Sequence, residues 1–354
     1  AKAPPGAGPR AQVEELTRRA VQAVAGSRDG AGACAARGPA AGAAVSSRGC
    51  PGGVARGRGP SSSGIVSDPA IRQYNQRISA LNRRQQWREA LQLGVEMRRH
   101  GLRGDVITYN ALLTACDKGR QLDRALEVFA EMQREGIQPD VITYNSLIGA
   151  CSKSSQPERA LSFFEDMQER GVQPDVVIYN SLLSAITKGS SPSRAVEVFE
   201  RMQTAGLKPD VITFSALISC CAKGCQTAKA LHFFEVMKTR GLKPDVITYS
   251  ALISACEKGR QADRALQLFG AMQEEGLEPN IITFNALISA CEKGGKHEKS
   301  LQLFSTMRAR GIWPDVITYS AGISACEKGG QWQRALALLS EMWEAKLEPN
   351  VISY

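Results

Sequence analysis

The chain repeats itself every 35 residues. The string Val-Ile-Thr-Tyr-Asn at Val106 returns with small changes at six later places, each 35 residues after the one before it. A diverged copy begins at Ile71, and the start of a truncated ninth copy occupies residues 351–354. The eight complete repeats are residues 71–105, 106–140, 141–175, 176–210, 211–245, 246–280, 281–315 and 316–350. A period of this length is typical of chains built from stacked supersecondary units.

Each repeat has the pattern of two helices joined by a short turn. In the second repeat, TYNALLTACDKG and QLDRALEVFAEMQREG carry apolar residues at helical spacing. A glycine follows each segment, where a left-handed residue would end a helix. Because one hairpin of this size cannot bury its own apolar face, stacked copies must share a core. We therefore predict an all-α fold, a right-handed α-solenoid superhelix with an elongated concave surface.

Three series of large side chains recur at helical register. Tyrosine occurs only at position 4 of a repeat, and phenylalanine occupies position 24 from Phe129 to Phe304. Methionine occurs only at position 27, as Met97, Met132, Met167, Met202, Met237, Met272, Met307 and Met342. One such residue per repeat favours packing between helices over a cofactor box or a base-stacking platform.

The net charge of the chain gives only weak evidence about its partners, and its hydropathy argues against a membrane. Residues 1 to 70 hold nine Lys and Arg against four Asp and Glu, which leaves only +4 of the +9 net charge for the rest. The overall charge is therefore weak support for a nucleic-acid partner. No apolar run reaches the roughly 18 residues that a membrane span needs, so we expect no membrane partner.

The cysteines follow the repeat. Cys220, Cys221 and Cys225 form the one local cluster, with only His232 nearby, and no CxxC pair occurs. Six cysteines, of which Cys221 is also a member of this cluster, recur in one repeated context: Cys116, Cys151, Cys221, Cys256, Cys291 and Cys326. We interpret them as small buried hydrophobic side chains and expect no metal and no cofactor.

Residues 1 to 70 differ in character from the repeats. They are rich in Ala, Gly, Arg and Ser, and only residues 11 to 26 have an amphipathic pattern. We predict that this segment is disordered. It resembles an organelle transit segment, although Glu14 and Glu15 are unusual in one. A linker is the alternative.

The repeat resembles a known family. VITYNALLTACDKGRQLDRALEVFAEMQREGIQPD, residues 106 to 140, is similar to a pentatricopeptide repeat of the pure 35-residue class, and the resemblance covers residues 71 to 354. The shared features are the period, the V-x-T-Y-N opening, Ala-Leu at positions 20 and 21, Met at 27, Gly at 31 and Pro-Asp at 34 and 35. The departures are Arg72, Gln73, Gly94 and Gly104 in the first repeat and Lys346 in the eighth. The resemblance implies binding of single-stranded RNA, one base per repeat.

Position 5 carries a short polar side chain in every repeat. The residues are Asn75, Asn110, Asn145, Asn180, Ser215, Ser250, Asn285 and Ser320. Both residue types are poorer helix formers than Ala by roughly 0.5 kcal/mol, so helix stability does not explain their recurrence. We predict a base contact here. A solvated helix face, or duplication without selection, is the alternative.

Position 35 carries an acid or its amide. The residues are Asp105, Asp140, Asp175, Asp210, Asp245, Asn280, Asp315 and Asn350. Such residues also cap helices. U and G present a ring N–H on their Watson–Crick edge, which suits an acceptor-only Asp, whereas A and C present a ring acceptor, which suits the Asn amide. Asn at position 5 would leave room for a small base and Ser for a large one, in agreement with what the resemblance implies.

Positions 2 and 13 supply two further candidates. The aliphatic residues at position 2 are Ile107, Ile142, Val177, Ile212, Ile247, Ile282 and Ile317. The resemblance implies that they wedge between bases; burial in the core is the alternative. The cations at position 13 are Arg83, Lys118, Lys153, Lys188, Lys223, Lys258, Lys293 and Lys328. Position 13 lies about 80° around the helix from position 5, so phosphate contact is expected, with stabilisation of the helix dipole as the alternative.

The pairs at positions 5 and 35 predict a target. With Asn-Asp as U, Ser-Asp as G and Ser-Asn as A, and with the parallel orientation that the resemblance implies, the site is 5′-UUUUGAUA-3′. We expect a monomer in a chloroplast or mitochondrion that acts in RNA stability, processing, editing or translation, with other RNA-processing proteins as further partners.

Two other functions remain open. A protein-binding scaffold of the tetratricopeptide type is one, although its period is about 34 residues and its W-x2-L-G-x2-Y signature is absent. An RNA enzyme is the other. The H-x-E…P-C-x-x-C signature of zinc deaminases and a Gly-rich phosphate loop are both missing, so we expect no enzymatic activity.

Overall fold

The computed structural model describes residues 68–348, and this part of the chain forms sixteen α-helices and no strand. The helices are α1 (Pro69–Arg83), α2 (Trp87–Arg99), α3 (Val106–Lys118), α4 (Leu122–Arg134), α5 (Val141–Lys153), α6 (Pro157–Glu169), α7 (Val176–Lys188), α8 (Pro192–Thr204), α9 (Val211–Lys223), α10 (Thr227–Thr239), α11 (Val246–Lys258), α12 (Ala262–Glu274), α13 (Ile281–Lys293), α14 (His297–Ala309), α15 (Val316–Lys328) and α16 (Trp332–Glu344). Odd-numbered helices are the first helices of the repeats and even-numbered helices are the second.

The predicted all-α fold of helical hairpins is confirmed. α1 begins at Pro69, two residues before the start predicted for the first repeat, and Asp68 caps it. The predictions for residues 1 to 67, for Asn350 and for the ninth repeat lie outside the described residues.

Position 35 caps the first helix of the following repeat. Asp105 Oδ1 accepts the backbone N–H of Thr108 at 2.8 Å, and the Asp105 N–H donates to Thr108 Oγ1 at 3.2 Å. Asn280 caps α13 in the same way, with Thr283 N at 3.0 Å from its Oδ1. These contacts satisfy N–H groups that a helix start leaves without partners. The capping role considered from the sequence is therefore present at every position 35 that the structure describes.

The two helices of a repeat end differently. A second helix ends at a left-handed glycine at position 31, such as Gly136 with φ +74°, and Lys346 takes a similar φ of +58° in the eighth repeat. After a first helix the glycine at position 14 is not left-handed: Gly119 has φ −78°, and the left-handed residue is the next one, Arg120, at φ +54°. The sequence-based assignment of a left-handed conformation to the glycine at position 14 was wrong. The left-handed residue after a first helix is at position 15, which is glycine in the seventh and eighth repeats, as Gly295 and Gly330.

The glycine at position 14 allows close approach between repeats. A Cβ atom on Gly189 would lie 2.7 Å from Pro157 Cγ, at the start of the second helix of the preceding repeat. A Cβ atom on Gly119 would lie 2.6 Å from the ring of Trp87 in the same way. In the six repeats with glycine at position 14, the absence of a side chain therefore lets successive hairpins approach closely; the first and third repeats have Arg84 and Ser154 there.

The core runs continuously along the stack. All eight methionines at position 27 and all six phenylalanines at position 24 are buried, which confirms that both series pack between helices. The Phe at position 24 meets the aromatic ring at position 4 of the next repeat edge-on: the Phe164 and Tyr179 centroids lie 5.2 Å apart and those of Phe304 and Tyr319 lie 5.3 Å apart. Such pairs add to the stabilisation from burial alone.

The helices form two layers. Each first helix packs against the first helices of its neighbours, whereas the backbones of successive second helices lie farther apart and meet through side chains such as Phe129 and Phe163. The more closely spaced layer is the inner one in a curved stack, so the first helices line the concave side. No helix among those described is long and apolar enough to cross a membrane.

Replacing Gly189 by Ala is expected to destabilise the array by about 1–3 kcal/mol, because the new methyl group overlaps the rigid ring of Pro157. Gly270→Ala is the matched control. A Cβ atom on Gly270, inside α12, meets nothing within 4 Å, so this change should stabilise the protein by about 0.5–1 kcal/mol through helix propensity. Thermal unfolding followed by circular dichroism measures both; equal effects of the two substitutions would contradict the packing role.

Substitutions of Asp210 test how much the N-cap contributes to the stability of the fold. Asp210→Ala should destabilise the fold by about 1 kcal/mol, whereas Asp210→Asn should leave stability almost unchanged, since Asn280 caps α13 with the same geometry. Burial raises the pKa of Asp210, but hydrogen bonds from Thr213 outweigh it and hold the pKa below its usual value. The charged cap therefore stabilises the wild type above about pH 4 and loses this effect as the pH falls further. Denaturation of the three proteins at pH 7 and pH 3 measures this, and a pH-independent difference between Asp and Asn would contradict it.

Candidate nucleic-acid interface

The candidate residues lie along one side of the first helices. Positions 2, 5 and 13 fall within about 80° of one another around a helix, so they share one face, and position 35 immediately precedes it. This face belongs to the inner layer of the stack. The structure thereby brings all four predicted kinds of site residue to the concave side.

Positions 5 and 35 of the same repeat meet in space. Asn75 Nδ2 donates to Asp105 Oδ1 at 2.9 Å, and Asn110 Nδ2 lies 2.9 and 3.0 Å from the two carboxylate oxygens of Asp140. The same bonds join Asn180 to Asp210 and Asn285 to Asp315. The Asp at the start of the next first helix is thus in direct contact with the Asn one repeat earlier.

Three of the described pairs at positions 5 and 35 lack this short hydrogen bond. Ser215 Oγ lies 3.4 Å from Asp245 Oδ1, farther than in the Asn-Asp pairs, because the serine side chain is shorter. Within the described residues no hydrogen bond joins Ser250 to Asn280, and Ser250 Oγ donates instead to the Val246 carbonyl at 2.7 Å. No described hydrogen bond joins Asn145 to Asp175 either, although this pair has the same two residue types, Asn and Asp, as the joined pairs.

Sequence reasoning missed the threonine at position 3 of the following repeat. Its hydroxyl is hydrogen-bonded to the position-5 side chain: Thr143 Oγ1 donates to Asn110 Oδ1 at 2.6 Å, and Ser215 Oγ lies 2.6 Å from Thr248 Oγ1. The only signal in the sequence was the Thr of the repeated V-I-T-Y string, a polar residue that is fully buried in the structure.

The aliphatic side chains at position 2 are exposed. Their exposed fractions lie between 53% for Val177 and 63% for Ile212, so burial in the core is excluded. Apolar side chains this exposed, repeated along one face, have surface to offer a ligand. Contact with bases stays a prediction.

The lysines at position 13 reach back to the preceding repeat. Lys118 Nζ donates to the Asn82 carbonyl at 2.7 Å and Lys188 Nζ to the Ser152 carbonyl at 2.6 Å, near the C-terminal ends of the preceding first helices. The helix-dipole role considered from the sequence thus exists between repeats. Such a lysine keeps N–H donors for a further anion, since an ammonium group has three.

Acidic residues at position 12 neutralise some of these lysines. Lys153 Nζ lies 2.6 Å from Asp117 Oδ2, Lys293 Nζ lies 2.6 Å from Glu257 Oε1, and Lys328 pairs with Glu292. In the middle of the array, Lys188, Lys223 and Lys258 have no described ion pair. Burial and the neighbouring charges of Arg120 and Lys223 lower the pKa of Lys188. Lys188, Lys223 and Lys258 are therefore three consecutive members of this row whose charges are not neutralised and repel one another. Lys118, which donates to the Asn82 carbonyl, has no described ion pair either.

The cysteines that the structure describes are not gathered into a site. Cys220 and Cys221 are buried and Cys225 is exposed. Burial raises the pKa of the Cys116 thiol to about 12 and that of Cys221 to about 11, which keeps both thiols protonated and unreactive near neutral pH. Among the described residues, no group of three or more His, Cys, Asp and Glu is placed to hold a metal ion.

Among solved structures, PPR10 from maize matches with 26% identity and a TM-score of 0.50 over 80% of this chain, which spans 51% of the PPR10 chain. PPR10 in complex with an 18-nt psaJ RNA element aligns at 25% identity with a TM-score of 0.42, over 82% of this chain and 51% of that one. The PPR domain of Arabidopsis thaliana protein-only RNase P 1, in complex with tRNA, aligns at 19% identity and a TM-score of 0.45, over 50% of this chain and 94% of that one.

A comparison with curated proteins gave no match. The family profile described as pentatricopeptide repeat domain matches residues 92–154, 162–224 and 232–294, more than half of the chain. The profile described as PPR repeat family matches residues 139–177 and 279–328, and the one described as PPR repeat matches residues 74–102, 212–242 and 317–347. The chain therefore belongs to the pentatricopeptide repeat family.

Proposed function

We propose that the chain binds single-stranded RNA, one base per repeat, and that it does so without catalysis of its own. The observation that carries this proposal is the recurring contact between position 5 and position 35 on the concave face, where a ligand lying along the array would meet one polar pair per repeat. PPR10, a family member of similar fold, has been solved with a bound RNA element.

The chemistry of position 35 supports base selection. Because hydrogen bonds hold its pKa below the usual value, Asp210 is ionised at neutral pH and can only accept hydrogen bonds. An acceptor of this kind suits the ring N–H of U or G, whereas the amide of Asn280 can donate to the ring nitrogen of A or C. Asn or Ser at position 5 then sets the room that is left for the base.

The flanking positions supply contacts that carry no sequence information. The exposed aliphatic side chains at position 2 offer apolar surface on which flat bases can pack. The lysines at position 13 offer ammonium groups to the phosphates between bases. Unpaired RNA satisfies all three kinds of contact at once, because duplex RNA hides the Watson–Crick edges that position 35 would meet.

The proposed target is 5′-UUUUGAUA-3′, with the chain and the RNA running parallel. Its eighth base would be read by Ser320 with Asn350, which lies outside the described residues. We place the protein in an organelle on the character of residues 1 to 70, where it would act on transcript stability, processing, editing or translation, alone or with other RNA-processing proteins.

The sixth repeat offers the sharpest test. Asn280→Asp converts the pair of Ser250 and Asn280 into the Ser-Asp combination of Ser215 and Asp245, and the new Asp retains the helix cap. Preference at the sixth base should move from A to G by about 1–3 kcal/mol, the range measured for bidentate base contacts. Filter binding of UUUUGAUA and UUUUGGUA to wild type and variant measures this change.

A hairpin that sequesters the octamer in duplex, and the same sequence as single-stranded DNA, serve as controls and should bind more weakly. Equal affinity for the duplex would refute single-strand binding. Binding that favours single-stranded RNA but shows the same A-over-G preference in both proteins would refute the role of position 35 alone.

The central lysines test the phosphate contacts. Replacing Lys188, Lys223 and Lys258 together by Ala should weaken binding to every RNA sequence alike and reduce the slope of log affinity against log salt by about 2, or about 0.7 for each lost phosphate contact. The matched control replaces Arg194, Lys229 and Arg264 by Ala. This change removes the same number of charges from exposed positions on second helices of the same three repeats. A control variant that lowers the slope equally would show that overall charge, not the concave row, attracts the RNA.

A further inference from the structure

A buried threonine hydroxyl joins most of the pairs at positions 5 and 35. It belongs to position 3 of the following repeat, and its oxygen lies 2.6 Å from Asn75 Oδ1 for Thr108, 2.6 Å from Asn110 Oδ1 for Thr143 and 2.6 Å from Asn180 Oδ1 for Thr213. Two serines at position 5 make the same contact, with Ser215 Oγ 2.6 Å from Thr248 Oγ1 and Ser250 Oγ 2.7 Å from Thr283 Oγ1. These threonines are at most 1% exposed, so water does not compete for the hydroxyl.

This hydroxyl and the carboxylate together determine which way the asparagine amide faces. The hydroxyl proton goes to the nearer acceptor, since Thr143 Oγ1 lies 2.6 Å from Asn110 Oδ1 and 3.0 Å from Asp140 Oδ1, and the Asp carboxylate can only accept. The amide is therefore held with its oxygen towards the threonine and its nitrogen towards the aspartate, as in Asn110, where Nδ2 lies 2.9 Å from Asp140. Both polar groups of the amide have a partner and one orientation is favoured.

The third repeat lacks this hydroxyl. Position 3 of the repeat that follows it is Ile178, which is fully buried. Asp175 still caps its helix, with Ile178 N at 2.8 Å from Oδ1. However, Asn145 Oδ1 now accepts from Ser181 Oγ at 3.0 Å, and no hydrogen bond joins Asn145 to Asp175 in the described structure. Asp175 is also exposed, whereas Asp140 and Asp210 are partly buried.

We propose that the residue at position 3 of the following repeat is a positioning residue that determines how sharply each pair discriminates its base, and that Ile178 makes the third repeat a permissive reader. The inference rests on the proposed function. A side chain held in one orientation by a second hydrogen bond needs no ordering when the base arrives and rejects a base of the wrong pattern. In the third repeat the Ser181 hydroxyl can either donate to the Asn145 oxygen or accept from its nitrogen, and no carboxylate contact fixes the amide, so Asn145 can turn to suit either pyrimidine.

The array contains its own comparison, since the second, third and fourth repeats have the same Asn-Asp pair. The octamer UUUUGAUA and three versions of it, each with one U→C change at base two, three or four, are the probes. Wild-type protein should lose about tenfold or more in affinity for the changes at bases two and four, and less than about threefold for the change at base three.

Two pairs of variants separate the hydroxyl from side-chain volume. Ile178→Thr supplies the hydroxyl and should raise discrimination between U and C at base three to about the tenfold seen at its neighbours, whereas Ile178→Val, which has nearly the same shape as Thr, should leave it low. In the opposite direction, Thr143→Val should lower discrimination at base two alone. A purely structural effect would change affinity for U and C equally and leave their ratio unchanged. Thermal unfolding of each variant confirms that the array is folded at the assay temperature.

Equal discrimination at bases two, three and four in the wild type, or the same ratio for Ile178→Thr and Ile178→Val, would overturn this inference while leaving RNA binding intact. If the wild type does not discriminate between U and C at any of the three bases, base reading itself is refuted, and the inference with it.

Discussion

The packing of each repeat against the next is the interaction on which the rest of this structure depends. No hairpin has enough apolar surface of its own to be stable, and the edge-on contact of a Phe such as Phe164 with the Tyr179 of the next repeat lies across the boundary between two repeats. Folding of one repeat therefore stabilises the next. The candidate site has the same property, because the pair of Asn110 and Asp140 and the hydroxyl of Thr143 come from both sides of such a boundary.

Position 35 illustrates how one residue can meet two requirements. An N-cap needs an oxygen acceptor on a short side chain, and a base edge with a ring N–H needs an acceptor as well. Asp meets both requirements. Asn still supplies the acceptor for the N-cap, but its amide presents a donor to the base instead of an acceptor. Substitutions between Asp and Asn therefore change what the surface presents without loss of the helix start, as Asp245 and Asn280 show in neighbouring repeats.

Much of this was visible in the sequence, because period, helical register and recurring core residues are local or repeat-level patterns. The exposure of the side chains at position 2 and the contact between positions 5 and 35 could not be predicted from the sequence, because both depend on how the repeats stack. The role of Thr143 was missed because its partner, Asn110, lies 33 residues earlier and is brought close only by the packing of first helices. The glycine at position 14 was misread for a related reason: a left-handed glycine and a close-approach glycine look alike in a sequence, and only the contact of Gly189 with Pro157 separates them.

That glycine also has a consequence for how such an array can change over evolutionary time. The residue that approaches it varies widely, from Trp87 against Gly119 to Pro157 against Gly189 and Thr227 against Gly259, yet the junction keeps its form. A position without a side chain accepts many different neighbours, so recombination between copies can insert or remove a whole hairpin without creating a junction that fails to pack. The length of the array, and with it the length of any ligand that lies along it, is then free to change in steps of one repeat.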